Sequence, residues 1–88
     1  MTEKKTLMAF PCEFQIKIIG DNKHLFFDEI LTITRKHFPE LDDRLVSTNI
    51  SQKNNFLAIT ITIIATSQES LDALYHELTK HPDTRMVL

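Results

Sequence analysis

The stretch Phe56–Ala65 constrains the fold more than any other part of the chain. Its residues alternate between a strongly apolar set and a milder set, namely Leu57, Ile59, Ile61, Ile63 and Ala65 against Ala58, Thr60, Thr62 and Ile64. Side chains of a strand point alternately to its two faces, so this pattern predicts a β-strand with one face towards a core. The stretch contains no charge, glycine or proline, and as an exposed edge it would invite pairing with another chain. We therefore expect it in the middle of a sheet.

The first half of the chain predicts a strand and a helix. Residues 13–20 alternate as a strand that closes on Gly20, where a positive φ or a close backbone approach is expected. Asp21 and Asn22 then offer N-cap side chains for an amphipathic helix that runs to about Phe38, before Pro39.

The second half predicts two further strands and a helix around the central stretch. Residues 44–52 are rich in polar side chains, which suits an edge strand, and residues 53–55 are expected to turn the chain into the central strand. Residues 66–69 have the spacing of a capping box before a helix that ends near Lys80 or His81, and residues 84–88 are predicted to form a last strand.

The element order is strand, helix, strand, strand, helix, strand. It predicts an α+β, ferredoxin-like βαββαβ sandwich, in which two helices cover one face of a four-stranded antiparallel sheet. Right-handed crossovers place the first and third strands at the centre of that sheet. We expect an N-terminal lead-in over residues 1–12, in which Phe10 packs against the domain, followed by a single domain over residues 13–88.

Composition indicates a small globular protein of the cytoplasm. The chain has 88 residues, a net charge of −2 and a single cysteine, so an internal disulfide is excluded and a reducing compartment is expected. The start of the chain lacks the apolar run of a signal peptide, and no stretch is long enough to span a membrane. The balanced charge argues against binding to nucleic acid or to a membrane surface.

Several functions that this fold hosts find no support in the sequence. Recognition of single-stranded RNA needs aromatic side chains on the open sheet face, where we expect Gln15, Lys17, Ala58, Thr60 and Thr62. The histidines do not recur at helical spacing, so no metal site is predicted. A catalytic Cys12 would need a neighbouring base that the sequence does not reveal, and no catalytic residue and no cofactor are predicted.

The turn Gly20-Asp21-Asn22 has two interpretations. It is either a structural turn with a helix cap or a ligand-binding loop. ACT-type regulatory domains share this element order, and their loop between the first strand and the first helix helps to bind small ligands such as amino acids.

The chain resembles the YbeD family of small bacterial proteins, a domain of unknown function. The resemblance lies in residues 10–20 (FPCEFQIKIIG), 60–63 (TITI), 74–78 (LYHEL) and 85–88 (RMVL), and it extends over residues 10–88. It implies an ACT-like, ferredoxin-like fold and carries no established activity, cofactor or catalytic residue. It also implies a regulatory role by analogy with ACT domains and an association with genes of lipoate metabolism.

Two basic residues among the matching segments are predicted to form a basic patch. Lys17 and Arg85 are both expected on the open sheet face, where they would attract an anion or simply remain solvated. From these observations we expect a non-enzymatic regulatory or adaptor domain that binds a protein partner or a small metabolite. The alternative is a module that binds single-stranded nucleic acid on the open face. A homodimer is slightly favoured over a monomer.

Overall fold

The computed structural model describes residues 11–88. Its strands are β1 (Cys12–Asp21), β2 (Val46–Ile50), β3 (Phe56–Ala65) and β4 (Thr84–Val87). Its helices are α1 (Phe26–His37) and α2 (Gln68–Lys80), and a short 3₁₀ turn (Asp43–Leu45) precedes β2. The predicted α+β, βαββαβ order is therefore confirmed.

The four strands form one antiparallel sheet in the order β2-β3-β1-β4. The uncharged strand β3 lies between β2 and β1, as its composition required, and the polar strand β2 lies at an edge. The β2–β3 turn places Asn54 at a φ of 61°, a left-handed conformation that asparagine tolerates.

One face of the sheet is buried beneath the two helices. In β1, Ile16 and Ile18 are fully buried while Lys17 between them is exposed, as the alternation predicts. The side chains of α1 and α2 that complete this core share helical spacing and are Phe26, Ile30, Leu71, Leu74 and Leu78. The other face of the sheet carries no helix in the described part of the chain.

The start of α1 differs from the prediction. Leu25 occupies the N-cap position, and no side chain accepts a hydrogen bond there. The prediction that Asp21 or Asn22 caps this helix was wrong, because β1 extends to Asp21 and a turn separates it from the helix. The end of α1 is close to the prediction, since Phe38 is the C-cap residue and Pro39 follows.

The start of α2 is capped by Ser67. Its hydroxyl accepts a hydrogen bond from the backbone N–H of Ser70 at 3.1 Å. The predicted capping box, in which Thr66 precedes Glu69 by three residues, is therefore wrong: the helix begins one residue later, and the residue three places after its N-cap is Ser70.

Within residues 11–88, neither helix has the length and apolar character needed to cross a bilayer. The predicted packing of Phe10, like most of the lead-in, lies outside the described residues.

Candidate functional site

Gly20 is buried where β1 passes beneath the start of α1. A Cβ atom at this position would lie 2.2 Å from Cζ of Phe26 and 2.6 Å from the backbone oxygen of Asp83. The sequence predicted either a positive φ or a close backbone approach at Gly20. The structure supports the close approach, since φ of Gly20 is not positive. Gly20 contributes to packing beneath the loop and presents no group to a ligand.

Asp21 faces the other side of the strand and pairs with Arg85. The guanidinium of Arg85 donates from Nε to Oδ1 at 2.9 Å and from Nη2 to Oδ2 at 3.0 Å. These hydrogen bonds lower the pKa of the Asp21 carboxyl and raise the pKa of Arg85. The carboxylate is therefore engaged within the protein rather than free to receive a ligand.

The structure does not bring Lys17 and Arg85 together as a basic patch. Lys17 pairs across the backbone with Leu88, whereas the side chain of Arg85 lies beside Asp21, four positions further along β1, roughly 13 Å away at strand spacing. Because Asp21 neutralises Arg85, the geometry gives no support to a joint anion site on the open face.

Asn22 fastens the β1–α1 loop to the β2–β3 hairpin. Its backbone N–H donates to the oxygen of Asn55 at 3.0 Å, and its side-chain amide donates to the oxygen of Asn54 at 3.1 Å. On the other side, Nζ of Lys23 lies 3.1 Å from Oδ1 of Asp83. The loop is thus held between two other turns of the same end of the sheet.

A cleft of about 410 Å³ opens between this loop and the edge strand β2. Its apolar lining comes from Phe27, Ile50 and Leu57. Its polar lining comes from Asn22, Lys23, His24 and Thr48. An apolar floor with a few polar groups is typical of small-molecule sites.

The three residues of the predicted ligand-binding loop have separate roles. Asn22 lines the cleft, Gly20 is buried behind it, and Asp21 is turned to the open face of the sheet. Other lining residues come from α1, β2 and β3. In the sequence, their pattern predicts packing within a helix or a strand and gives no sign of a ligand site. Only the tertiary contacts bring them to the loop.

The open sheet face also includes Phe56, which is not among the residues expected there from the sequence. Phe56 pairs with Asp21 across the ladder and is 44% exposed. It is a single aromatic side chain beside a neutralised ion pair, and RNA-binding sheets of this class stack bases on two or three aromatics. No finding therefore favours the nucleic-acid alternative.

Two further groups of reactive side chains are explained by ordinary packing. His81 uses both ring nitrogens, because Nδ1 accepts from the backbone N–H of Asp83 at 3.1 Å and Nε2 lies 2.6 Å from the carboxylate of Glu29. These hydrogen bonds account for the cluster of Glu29, His81 and Asp83. Cys12 is half-buried against the core at the start of β1.

Comparison of the sequence with protein families gives one match over almost the whole chain. The family described as "Protein of unknown function (DUF493)" matches residues 5–88. A UPF0250 protein of Nitrosomonas europaea is 39% identical over 88 residues and is covered completely, as is this chain. A UPF0250 protein of Paraburkholderia phytofirmans is 40% identical over 84 residues, which cover 96% of this chain and 94% of the relative.

Solved structures share the fold at low sequence identity. The solution structure of protein HP0495 from Helicobacter pylori has a TM-score of 0.74 at 10% identity, over 99% of this chain and 91% of that chain. The crystal structure of the ACT domain from GTP pyrophosphokinase of Chlorobium tepidum has a TM-score of 0.66 at 18% identity, over 86% of this chain and 94% of that chain. The expected ACT-like fold is thereby confirmed.

Proposed function

The chain belongs to the DUF493 family, which includes the UPF0250 proteins, and from this premise we propose that it is a non-enzymatic regulatory domain that binds a small metabolite. This membership confirms the resemblance to the YbeD family. The ligand would occupy the cleft between the β1–α1 loop and β2. The observation that carries the proposal is the position of this cleft, which lies at the loop where ACT-type domains bind small ligands.

The lining of the cleft suggests the kind of ligand. Phe27, Ile50 and Leu57 offer apolar surface, and Ile50 is 51% exposed in the free protein. Burial of such surface by a ligand is favourable by about 25 cal/mol per Å². Asn22 and Thr48 at the rim provide neutral hydrogen-bonding groups, and Lys23 and His24 provide nitrogen donors. An amphipathic metabolite such as a free amino acid with an apolar side chain matches this combination.

Binding of this kind requires little rearrangement of the protein. The loop is already held by the hydrogen bonds of Asn22 to the hairpin and by the ion pair of Lys23 with Asp83. A prearranged site avoids part of the entropic cost of ordering a loop upon binding. If the domain also acts as an adaptor, its protein partner would contact the loop or the exposed residues around it and so respond to the bound metabolite.

The experiment is a titration of the ¹⁵N-labelled full-length protein with free leucine, phenylalanine and glutamate, followed by NMR chemical shifts. We expect leucine or phenylalanine to shift the amide signals of residues 22–27 and 48–50, with weaker effects from glutamate. Phe27→Ala and Asn22→Ala are expected to weaken binding about tenfold, a loss of about 1.4 kcal/mol. Asn49→Ala, which alters the opposite face of β2, serves as the matched control.

Two results would contradict the proposal. The first is the absence of any shift at millimolar ligand concentration. The second is a set of shifts that avoids the cleft and is unchanged by Phe27→Ala.

A further inference from the structure

A second cleft of about 450 Å³ lies at the opposite end of β3, between this strand and the segment that joins α1 to β2. Its apolar lining comes from Phe38, Leu41, Leu45, Ile63 and Ile64. Ile64 is 54% exposed and Leu45 is 44% exposed, so apolar surface faces the cleft without cover from the described residues.

The cleft runs along an edge of the sheet that no residue from 11 to 88 pairs with. The last pair between β2 and β3 joins Val46 and Ile61, whereas β3 continues to Ala65. The chain before Val46 forms a 3₁₀ turn instead of continuing the ladder. Unpaired backbone of a strand edge is a template for an additional extended segment.

The charged residues that line the cleft are acidic. Glu40 and Asp42 contribute carboxylates, and no lysine or arginine is among the lining residues. Arg44 holds Asp42 with two hydrogen bonds, while Glu40 is exposed and has no ion-pair partner within residues 11–88. A basic segment with apolar residues would therefore match both the lining and its rim.

The N-terminal segment is attached beside this cleft. Cys12, the first residue of β1, pairs with Ala65, the last residue of β3, and the neighbouring residues Ile64 and Thr66 line the cleft. A segment added at this edge of β3, on the side away from β1, would lie about two strand spacings, roughly 10 Å, from β1. Because Ile64 and Thr66 line the cleft, a chain leaving Pro11 enters it at once, and four extended residues, which span about 13 Å, bring residue 7 to its far side.

The sequence of this segment complements the cleft. Residues 7–10 are Leu, Met, Ala and Phe, and Lys4 and Lys5 precede them. We infer that the segment from Lys4 to Phe10 docks in the second cleft, with its apolar residues against Leu41, Leu45 and Ile64 and its lysines near Glu40. The β3 edge is then covered by the protein's own chain, independently of any metabolite at the first cleft.

Disulfide trapping in the full-length protein tests this docking. In a Cys12→Ser background, Met8→Cys is combined either with Leu45→Cys in the cleft or with Glu69→Cys, an exposed position just beyond Thr66. Residue 8 and Glu69 each lie four residues from the paired residues Cys12 and Ala65, and four extended residues span about 13 Å, so chain length also permits the control pair. We expect the Leu45 pair to form an intramolecular disulfide at least tenfold faster in a glutathione buffer. Equal rates, or faster formation of the Glu69 pair, would overturn the inference.

The same experiment identifies a different occupant. If a second copy of the chain fills the cleft, the Met8 and Leu45 pair gives disulfide-linked dimers whose yield rises with protein concentration, and the inference is overturned. If an external peptide is the natural occupant, the Leu45 pair shows no preference over the Glu69 pair in the isolated protein.

A second measurement does not depend on introduced cysteines. Leu7→Asp places a charge in the apolar part of the segment, and we expect it to shift the methyl NMR signals of Leu41 and Ile64. Thr2→Asp adds the same charge outside the docked part and should leave these signals in place. Unchanged cleft methyls in the Leu7 variant would contradict the docking.

Discussion

Asp21 and Arg85 join the end of β1 to β4 through two parallel hydrogen bonds, at the point where the pairing of these strands shifts register between Ile19 and Gly20. Arg85 lies between Met86, which pairs with Ile19, and Thr84, which pairs with Gly20. The ion pair thus bridges the irregular part of the ladder, and it fixes the strand end from which the β1–α1 loop begins.

This ion pair predicts a pH-dependent effect of Asp21→Asn. Because Arg85 lowers the pKa of the Asp21 carboxyl in the folded state, its contribution is present above the ordinary carboxyl pKa of about 4 and is lost as the pH falls through the lower folded-state value. We expect the variant to be less stable than the wild type at pH 7 and the difference to shrink below pH of about 4. Thermal unfolding from pH 2 to 7 measures this, with Glu13→Gln on the same strand as control. A difference independent of pH would contradict the role of the charge.

Gly20→Ala is expected to destabilise the protein by about 1–3 kcal/mol, because the added methyl group has no space beside the Phe26 ring and the backbone of Asp83. Urea unfolding measures the change. Gln15→Ala, on the exposed face of the same strand, should stay within about 0.5 kcal/mol. A Gly20 variant as stable as the wild type would show that the start of α1 moves aside without cost.

Ser67→Ala is expected to cost about 1 kcal/mol, because it removes the acceptor for the N–H of Ser70 at the start of α2. Thr66→Ala, at the N-cap position of the predicted capping box, should change stability by less than about 0.5 kcal/mol. Helix content and urea midpoints of the two variants provide the comparison. A larger loss of stability in the Thr66 variant than in the Ser67 variant would show that Ser67 is not the residue that caps the helix.

Thr34 is fully buried in α1, and its hydroxyl donates to the backbone oxygen of Ile30 at 2.9 Å. Thr34→Val keeps the shape and replaces this hydroxyl by a methyl group, so we expect a change within about 1 kcal/mol. Thr34→Ser keeps the hydroxyl and removes the buried methyl group, which should cost about 1 kcal/mol. Calorimetric unfolding compares the two, and a much larger loss for valine would show that the hydroxyl has a further role.

The fold was predictable because local patterns and long-range packing agree. The uninterrupted alternation of β3 required a central strand, and the amphipathic pattern of α2 with a capping serine required a helix against it. The start of α1 was not predictable from capping residues. Asp21 has its partner in β4 and Asn22 has its partner in the hairpin, so both side chains are used in contacts that no local pattern encodes.

The candidate site was predictable only in part. The β1–α1 loop drew attention through Gly20 and its polar neighbours, and Asn22 does line the cleft. Phe27, Thr48 and Ile50 look like ordinary core or edge residues in sequence. They become part of one cleft because α1 and the edge strand β2 meet the loop at the same end of the sheet.

The strand register has a consequence for the order in which the protein assembles during its synthesis. β1 leaves the ribosome first, yet its partners are β3 and β4, with pairs such as Cys12 with Ala65 and Ile18 with Val87. Among the strands within residues 11–88, β2 and β3 alone pair across a short turn, whereas β1 pairs with strands far along the chain, so the hairpin closes the shortest loop and is expected to form first. Ile16 and Ile18 therefore stay exposed until β3 and the helices cover them, and a nascent chain held before that point leaves β1 without a partner on either side.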